Sequence, residues 1–232
     1  MRILSAIRND IRFQLKYGFY LLYLVISMIY IGIIFALPAS MRGIVSAVVA
    51  FSDPSALGLF FMGAIILFEK SERVLNSLFI SPLTIDEYIL GKVVSLSIIA
   101  TAVGTAIVLT TGTGKIHLFP LVSGLILGSI LFSLTGLIIA ARVNSLNQFM
   151  IGVIPLGTLL SLPSFLIIFG FDNIFLQLHP GVIVLKLILN GVEIGKFNWF
   201  QILLLILWIA IFWLWARENV KKMIGTLGGV KL

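Results

Sequence analysis

The stretch Glu69 to Lys92 reads EKSERVLNSLFISPLTIDEYILGK, a polar interruption between two long apolar runs. Pro82 cannot continue a helix begun before it, and Thr84 followed three residues later by Glu87 forms a capping box ahead of Tyr88, Ile89 and Leu90. A new helix is therefore predicted to start near Thr84. The stretch is too charged to sit in lipid, yet Leu75, Leu78, Phe79 and Ile80 give it an apolar face. It reads as a cytoplasmic loop between two membrane spans, carrying a short helix that touches a soluble partner. An amphipathic loop lying on the membrane surface has the same pattern.

Outward from that loop, the composition sets the class. Of 232 residues, 60% are hydrophobic and 11% charged, far outside the range of soluble domains. The chain is predicted to be an all-α integral membrane protein, one domain over residues 1–232. The net charge of +7 does not point to nucleic acid, because the sixteen Lys and Arg are spread over loops and not clustered with stacking aromatics. With no Cys, disulfides, thiolate metal sites and Cys nucleophiles are excluded.

Residues 1–17 place Ile3, Ile7, Ile11 and Leu15 at four-residue spacing beside Arg8, Arg12 and Lys16, the pattern of a basic amphipathic helix at the headgroups. A cleaved signal peptide fits less well, since the uncharged run from Tyr17 to Met41 exceeds a signal core of roughly 7 to 15 residues. Six spans are predicted: Gly18 to Leu37, Pro54 to Phe68, Glu87 to Thr111, Leu118 to Ala141, Asn147 to Phe169 and Phe197 to Trp215. Gly43 to Ser52, cut off by Asp53 and Pro54, is read as an outer segment dipping into the bilayer. Residues 172–196, divided by Pro180-Gly181, are read as two short helices forming a re-entrant outer segment. The tail from Arg217 to Lys222 is polar, and Gly225, Gly228 and Gly229 suggest a frayed end.

Six spans put both termini on one side. Arg2, Arg8, Arg12, Lys16, Lys70, Arg73, Lys92, Arg142, Arg217, Lys221, Lys222 and Lys231 then face the cytoplasm, and only Arg42, Lys115, Lys186 and Lys196 lie outside. That asymmetry fits the positive-inside rule and a multi-pass cell-membrane protein, of prokaryotic type, with both termini cytoplasmic. Ser97, Gly104, the Gly124 to Gly128 pair, Gly136 and Ala140 allow close helix packing, within the chain or across a dimer seam. Pro155 and Pro163 predict a kinked or interrupted fifth span. With Ser161 between them they are candidates for lining a pathway, although a kinked helix packed on its neighbours has the same sequence.

Catalytic patterns are absent. His117 and His179 belong to no HExxH motif, no carboxylates pair within a span, and neither Gly114-Lys115 nor Gly195-Lys196 completes a phosphate loop. No catalytic, cofactor or metal residue is expected. The acids, Asp10, Asp53, Glu69, Glu72, Asp86, Glu87, Asp172, Glu193 and Glu218, are read at loops and edges. Transporters coupled to ions keep such groups inside the bilayer. A driving force from elsewhere is implied if the protein transports.

The order of features resembles an ABC-2 type transporter permease, the membrane subunit of an ATP-binding-cassette exporter. Three pieces carry the likeness: EKSERVLNSLFISPLTIDEYILGK after span two, GLIIAARVNSLNQFM between spans four and five, and the Pro-containing fifth span leading to a broken outer segment. The first is the most specific, with its acidic start, Ser81-Pro82-Leu83 turn and Tyr-x-x-Gly-Lys ending. The resemblance implies an ABC ATPase subunit as partner, which binds the ATP, and a second permease chain, identical or paralogous. It implies that the coupling element is Glu69 to Ser81, with Glu69, Glu72, Arg73, Leu75, Leu78, Phe79, Ser81 and Pro82 as the ATPase-coupling residues. The expected cargo is an apolar or amphipathic small molecule, drug or peptide moved outward. The outer loops leave no room for a large extracellular domain. Two other classes fit the residues alone: a self-sufficient secondary transporter or channel, and a membrane immunity or scaffold protein that sequesters a peptide.

Overall fold

The computed structural model describes residues 2–72, 84–112, 114–171 and 173–227. All regular structure among them is helical: α1 (Arg2–Lys16), α2 (Phe19–Ala36), α3 (Ala39–Ser71), α4 (Ile85–Thr111), α5 (Leu118–Arg142), α6 (Leu146–Leu166), α7 (Ile174–Leu178), α8 (Pro180–Gly191) and α9 (Trp199–Leu227). By length and composition α2, α4, α5, α6 and α9 can each cross a bilayer. With 33 residues, α3 is about 50 Å long, more than a hydrocarbon core of about 30 Å needs, and is long enough to be the sixth span.

Here the expectation for span two is corrected. Gly43 to Ser52 is not a separate dipping segment; it is the first half of α3, which runs on through Asp53 and Pro54 without a break. Proline removes one backbone hydrogen bond, whereas unwinding the helix in lipid would strip many donors and acceptors of partners. The same argument removes one of the two readings of the fifth span, kinked or interrupted. Its helix, α6, is not interrupted and contains both Pro155 and Pro163. The expectation of a frayed end is corrected at Gly225, because α9 continues to Leu227, while Gly228 and Gly229 lie outside the described residues. Ala216, Val220 and Met223 recur on one buried face while Arg217, Lys221 and Lys222 stay exposed. A second amphipathic stripe therefore prolongs the span beyond Trp215.

The core centres on α5, which packs against α3, α4, α8 and α9. Small residues decide how closely. A Cβ on Gly128 would meet Val184 at 2.6 Å, and one on Gly124 would meet Leu187 at 2.9 Å, so the glycine pair seats α8 against α5 inside one chain. Gly136 lies against the Leu59 carbonyl of α3, where a Cβ would come within 2.3 Å. The expected pair of short helices between spans five and six is present, with Pro180 opening α8. Nearly all of α8 is buried against α3, α5, α6 and α9. By contrast α2 buries only Tyr23 and Ile34 and turns Leu21, Leu24, Val25, Met28, Ile29 and Ile33 outward.

The Gly136 contact is backbone against backbone and cannot relax by a rotamer change. Gly136→Val is expected to cost about 1 to 3 kcal/mol of overpacking and to lower the thermal midpoint in detergent. Gly32→Ala on α2, where a Cβ meets nothing within 4 Å, should leave the midpoint unchanged. Equal midpoints for the two variants would contradict the α3–α5 packing.

Candidate functional site

The loop that the sequence singles out is bounded by the last turn of α3 and the first turns of α4. Residues 73–83, and with them Arg73, Leu75, Leu78, Phe79, Ser81 and Pro82, lie outside the described residues. The boundaries themselves are well defined. Glu87 N donates to Thr84 Oγ1 at 3.2 Å and Thr84 N donates to Glu87 Oε2 at 2.8 Å, so the predicted capping box starts α4. On the other side Glu72 caps α3, with its side chain exposed.

Glu69 points the other way, into the protein. It is 8% exposed, and Lys92, 2% exposed, donates to its Oε1 at 2.5 Å. Tyr88 Oη donates to Glu69 Oε2 at 2.8 Å, and the Lys92 ammonium sits 4.9 Å from the Tyr88 ring centroid. Asp10 of α1 completes the cluster, accepting from Lys92 Nζ at 3.1 Å. Burial pushes the Asp10 carboxyl above its ordinary range, with the Lys92 charge opposing.

This cluster corrects the sequence reading of the charges. Glu69 and Lys92 are buried and Asp10 is half-buried, and the three are not solvated edge charges but meet where α1, α3 and α4 come together. The physical reason is mutual neutralisation, since a lone charge there would be prohibitively costly while one ammonium between two carboxylates is partnered on both sides. The cluster also gives the Tyr-x-x-Gly-Lys pattern a meaning. Tyr88 and Lys92, four apart, lie on one helix face and hold Glu69. Gly91 admits α1, because a Cβ there would meet Asp10 Oδ2 at 3.0 Å and Ala6 Cβ at 3.2 Å. One turn further along, Gln14 donates to Ser95 Oγ at 2.8 Å. Thus α1 does not merely lie at the headgroups; it is docked on α4 along a polar seam.

Neighbouring cations tie down other helix ends. Lys70 donates to the carbonyls of Ala140, Ala141 and Val143 at 2.8, 3.2 and 2.7 Å, capping the negative end of α5. Arg217 of α9 pairs with Asp86 at the start of α4 at 3.3 Å, both exposed. The chemistry on offer is mechanical: an ion cluster and two charged braces fix the last turn of α3 and the first turns of α4 relative to α1, α5 and α9.

The pathway candidates are spread along α6. Pro155 is exposed and borders a cavity between α5, α6 and α9, while Ser161 and Pro163 are half-buried further along the helix. His117 is exposed and lies 3.4 Å from Glu193 at the opposite end of the bundle, and His179 caps the start of α8. No group of three or more potential metal ligands occurs among the described residues.

The sequence profile of the fluoroquinolones export permease protein family matches residues 1–225. Two relatives, the fluoroquinolones export permease proteins of Mycobacterium tuberculosis strains CDC 1551 / Oshkosh and H37Rv, are each 31% identical over 166 residues. That alignment spans 70% of this chain and 69% of each relative.

Removing the ammonium alone leaves the buried Glu69 carboxylate unpaired beside that of half-buried Asp10. Lys92→Met is expected to cost about 3 to 5 kcal/mol, and adding Glu69→Gln to recover part of the loss. Arg217→Ala, which breaks an exposed pair, should cost no more than about 1 kcal/mol. Thermal unfolding of the detergent-solubilised variants measures all three, and a Lys92→Met midpoint equal to that of Arg217→Ala would refute the buried cluster.

Proposed function

The chain belongs to the fluoroquinolones export permease protein family, and from that premise we propose that it is the permease subunit of an ATP-driven ABC exporter. The observation that carries the reading is the family match along residues 1–225, which includes the loop and the buried cluster behind it. An export permease needs a source of energy, and this sequence contains no phosphate loop of its own. A separate ABC ATPase subunit supplies it in this proposal, docking on residues 69–82.

In that scheme the coupling residues divide by what they can reach. Glu72 is exposed at the end of α3 and available to a partner; Arg73, Leu75, Leu78, Phe79, Ser81 and Pro82 complete the docking face. Glu69 is turned inward and acts as a positioning residue through Lys92 and Tyr88. Movement of the loop on ATP binding is then delivered to α3 and α4 and, through Asp10, to α1. The second permease chain, a copy or a paralogue, has the uncovered apolar faces of α2 and α6 available to it. The substrate is an amphipathic small molecule of the fluoroquinolone kind, because the relatives carry that activity in their names. Both termini and the loop face the cytoplasm, as the distribution of Lys and Arg favours.

Co-purification from the native membrane tests the partner. Wild-type chain should bring down an ATPase in stoichiometric amount, and Arg73→Glu or Leu78→Pro should lose it while still inserting. A wild-type chain that emerges alone, and then carries flux in liposomes under an ion gradient, would replace this proposal with a secondary transporter. For the substrate, cells expressing the complex should accumulate a fluoroquinolone several-fold less than cells lacking it. Equal accumulation would remove the drug from the proposal without touching the ATPase.

A further inference from the structure

Arg142, the last residue of α5, uses only one edge and one face of its guanidinium in the scaffold. A cation at a helix C-terminus ordinarily answers the helix dipole, but Lys70 already occupies the terminal carbonyls of α5. None of the ion pairs among the described residues involves Arg142. Its side chain is nevertheless held in place. Nε donates to Asn219 Oδ1 at 2.5 Å, Asn219 Nδ2 donates to the Trp215 carbonyl at 2.6 Å, and the guanidinium carbon sits 5.3 Å from the Trp215 ring centroid. Fixing Nε and one face leaves the terminal amino groups as a positioned pair of donors.

Beside that guanidinium lies a cavity of about 510 Å³ between α5, α6 and α9, bordered by both Arg142 and Trp215. Its walls are apolar: Ile138 and Ile139 on α5, Leu156 and Leu159 on α6. Its open side is apolar as well, for the lining residues Pro155 and Leu159 are both exposed. An occupant therefore enters from the bilayer, not from water. Arg142 is at the end of α5 that Lys70 caps, so the charged end of the cavity is level with the last turn of α3. In the orientation favoured by the basic residues, that is the cytoplasmic leaflet.

We propose that this cavity binds an amphiphile with an anionic head, phosphate or carboxylate, its head on the terminal amino groups of Arg142 and its apolar body between α5 and α6. Guanidinium donates to either oxyanion through parallel N–H groups, and a positioned Arg does so with little further loss of side-chain freedom. The two sources of such a head are a phospholipid of the cytoplasmic leaflet and an apolar carboxylic acid dissolved in it. The inference needs no ATPase and stands apart from the exporter proposal.

Native mass spectrometry of the purified, delipidated full chain tests it, with four probes of matched chain length: a phosphatidylglycerol, a phosphatidylcholine, a fatty acid and its methyl ester. At least one anionic probe should bind about tenfold tighter than its neutral or zwitterionic counterpart, the low end for one charge-assisted hydrogen bond. Arg142→Gln should abolish that preference and Arg142→Lys should keep part of it. Preference for phosphatidylglycerol alone identifies a lipid site, and preference for the fatty acid alone a carboxylate site. Equal binding of charged and uncharged probes by the parent chain overturns the proposal, whether or not the variants fold. So does a preference that Arg142→Gln leaves intact, which would place anion binding elsewhere, for instance on the basic face of α1.

Discussion

A buried ammonium needs partners that it can donate to, and Lys92 finds them on two other helices, α1 and α3. Its position, two turns into α4, forces Glu69 inward from the last turn of α3 and brings Asp10 of α1 against Gly91. Each helix that contributes a group is thereby fixed at the same end of the bundle. Buried ion pairs seldom add much net stability, because desolvation consumes most of the attraction. What this one contributes is register: a rotation of α1, α3 or α4 about its own axis would expose a charge to the apolar interior or leave one unpaired.

That constraint sits at one end of a bundle whose rest is held by packing. Among the described residues α5 is the axle, with glycines where α3 and α8 come closest, and α8 fills the space that a longer helix would otherwise have to occupy. Among the candidate spans the least covered by the chain itself are α2, α6 and α9. A rigid centre with loosely covered outer helices leaves those faces free to slide against lipid, or against the second chain of the proposed exporter, while the ends of α3 and α4 keep their geometry.

Local signals were legible in the sequence and long-range ones were not. The Thr84–Glu87 box, the amphipathic stripe of α1, and Pro180 as the first residue of α8 each involve residues within one or two turns, and each is where the sequence places it. Asp53-Pro54 misled because a local breaker was weighed without its surroundings; in lipid, continuity of hydrogen bonding outweighs one proline. The tail of α9 misled because a polar composition hid a period of three to four in Ala216, Val220 and Met223. Lys92 was the costliest miss. Its partner Asp10 lies 82 residues away, so no window of sequence contains both, although a lysine two turns inside an apolar helix was itself the signal. The docking residues proper, Arg73 to Pro82, rest on the resemblance and the family alone.

The lack of cysteine makes one measurement especially direct. Single cysteines placed at Leu75 and Leu78 in the loop, and at Phe175 and Ile194 at the far end, can be fitted with a short photo-cross-linker in native membranes. The account predicts that both loop positions form an adduct with one soluble ATPase subunit and that neither far-end position does. Adducts absent from the loop, or equal at both ends of the bundle, would contradict the claim that the charge cluster exists to hold an ATPase-docking loop.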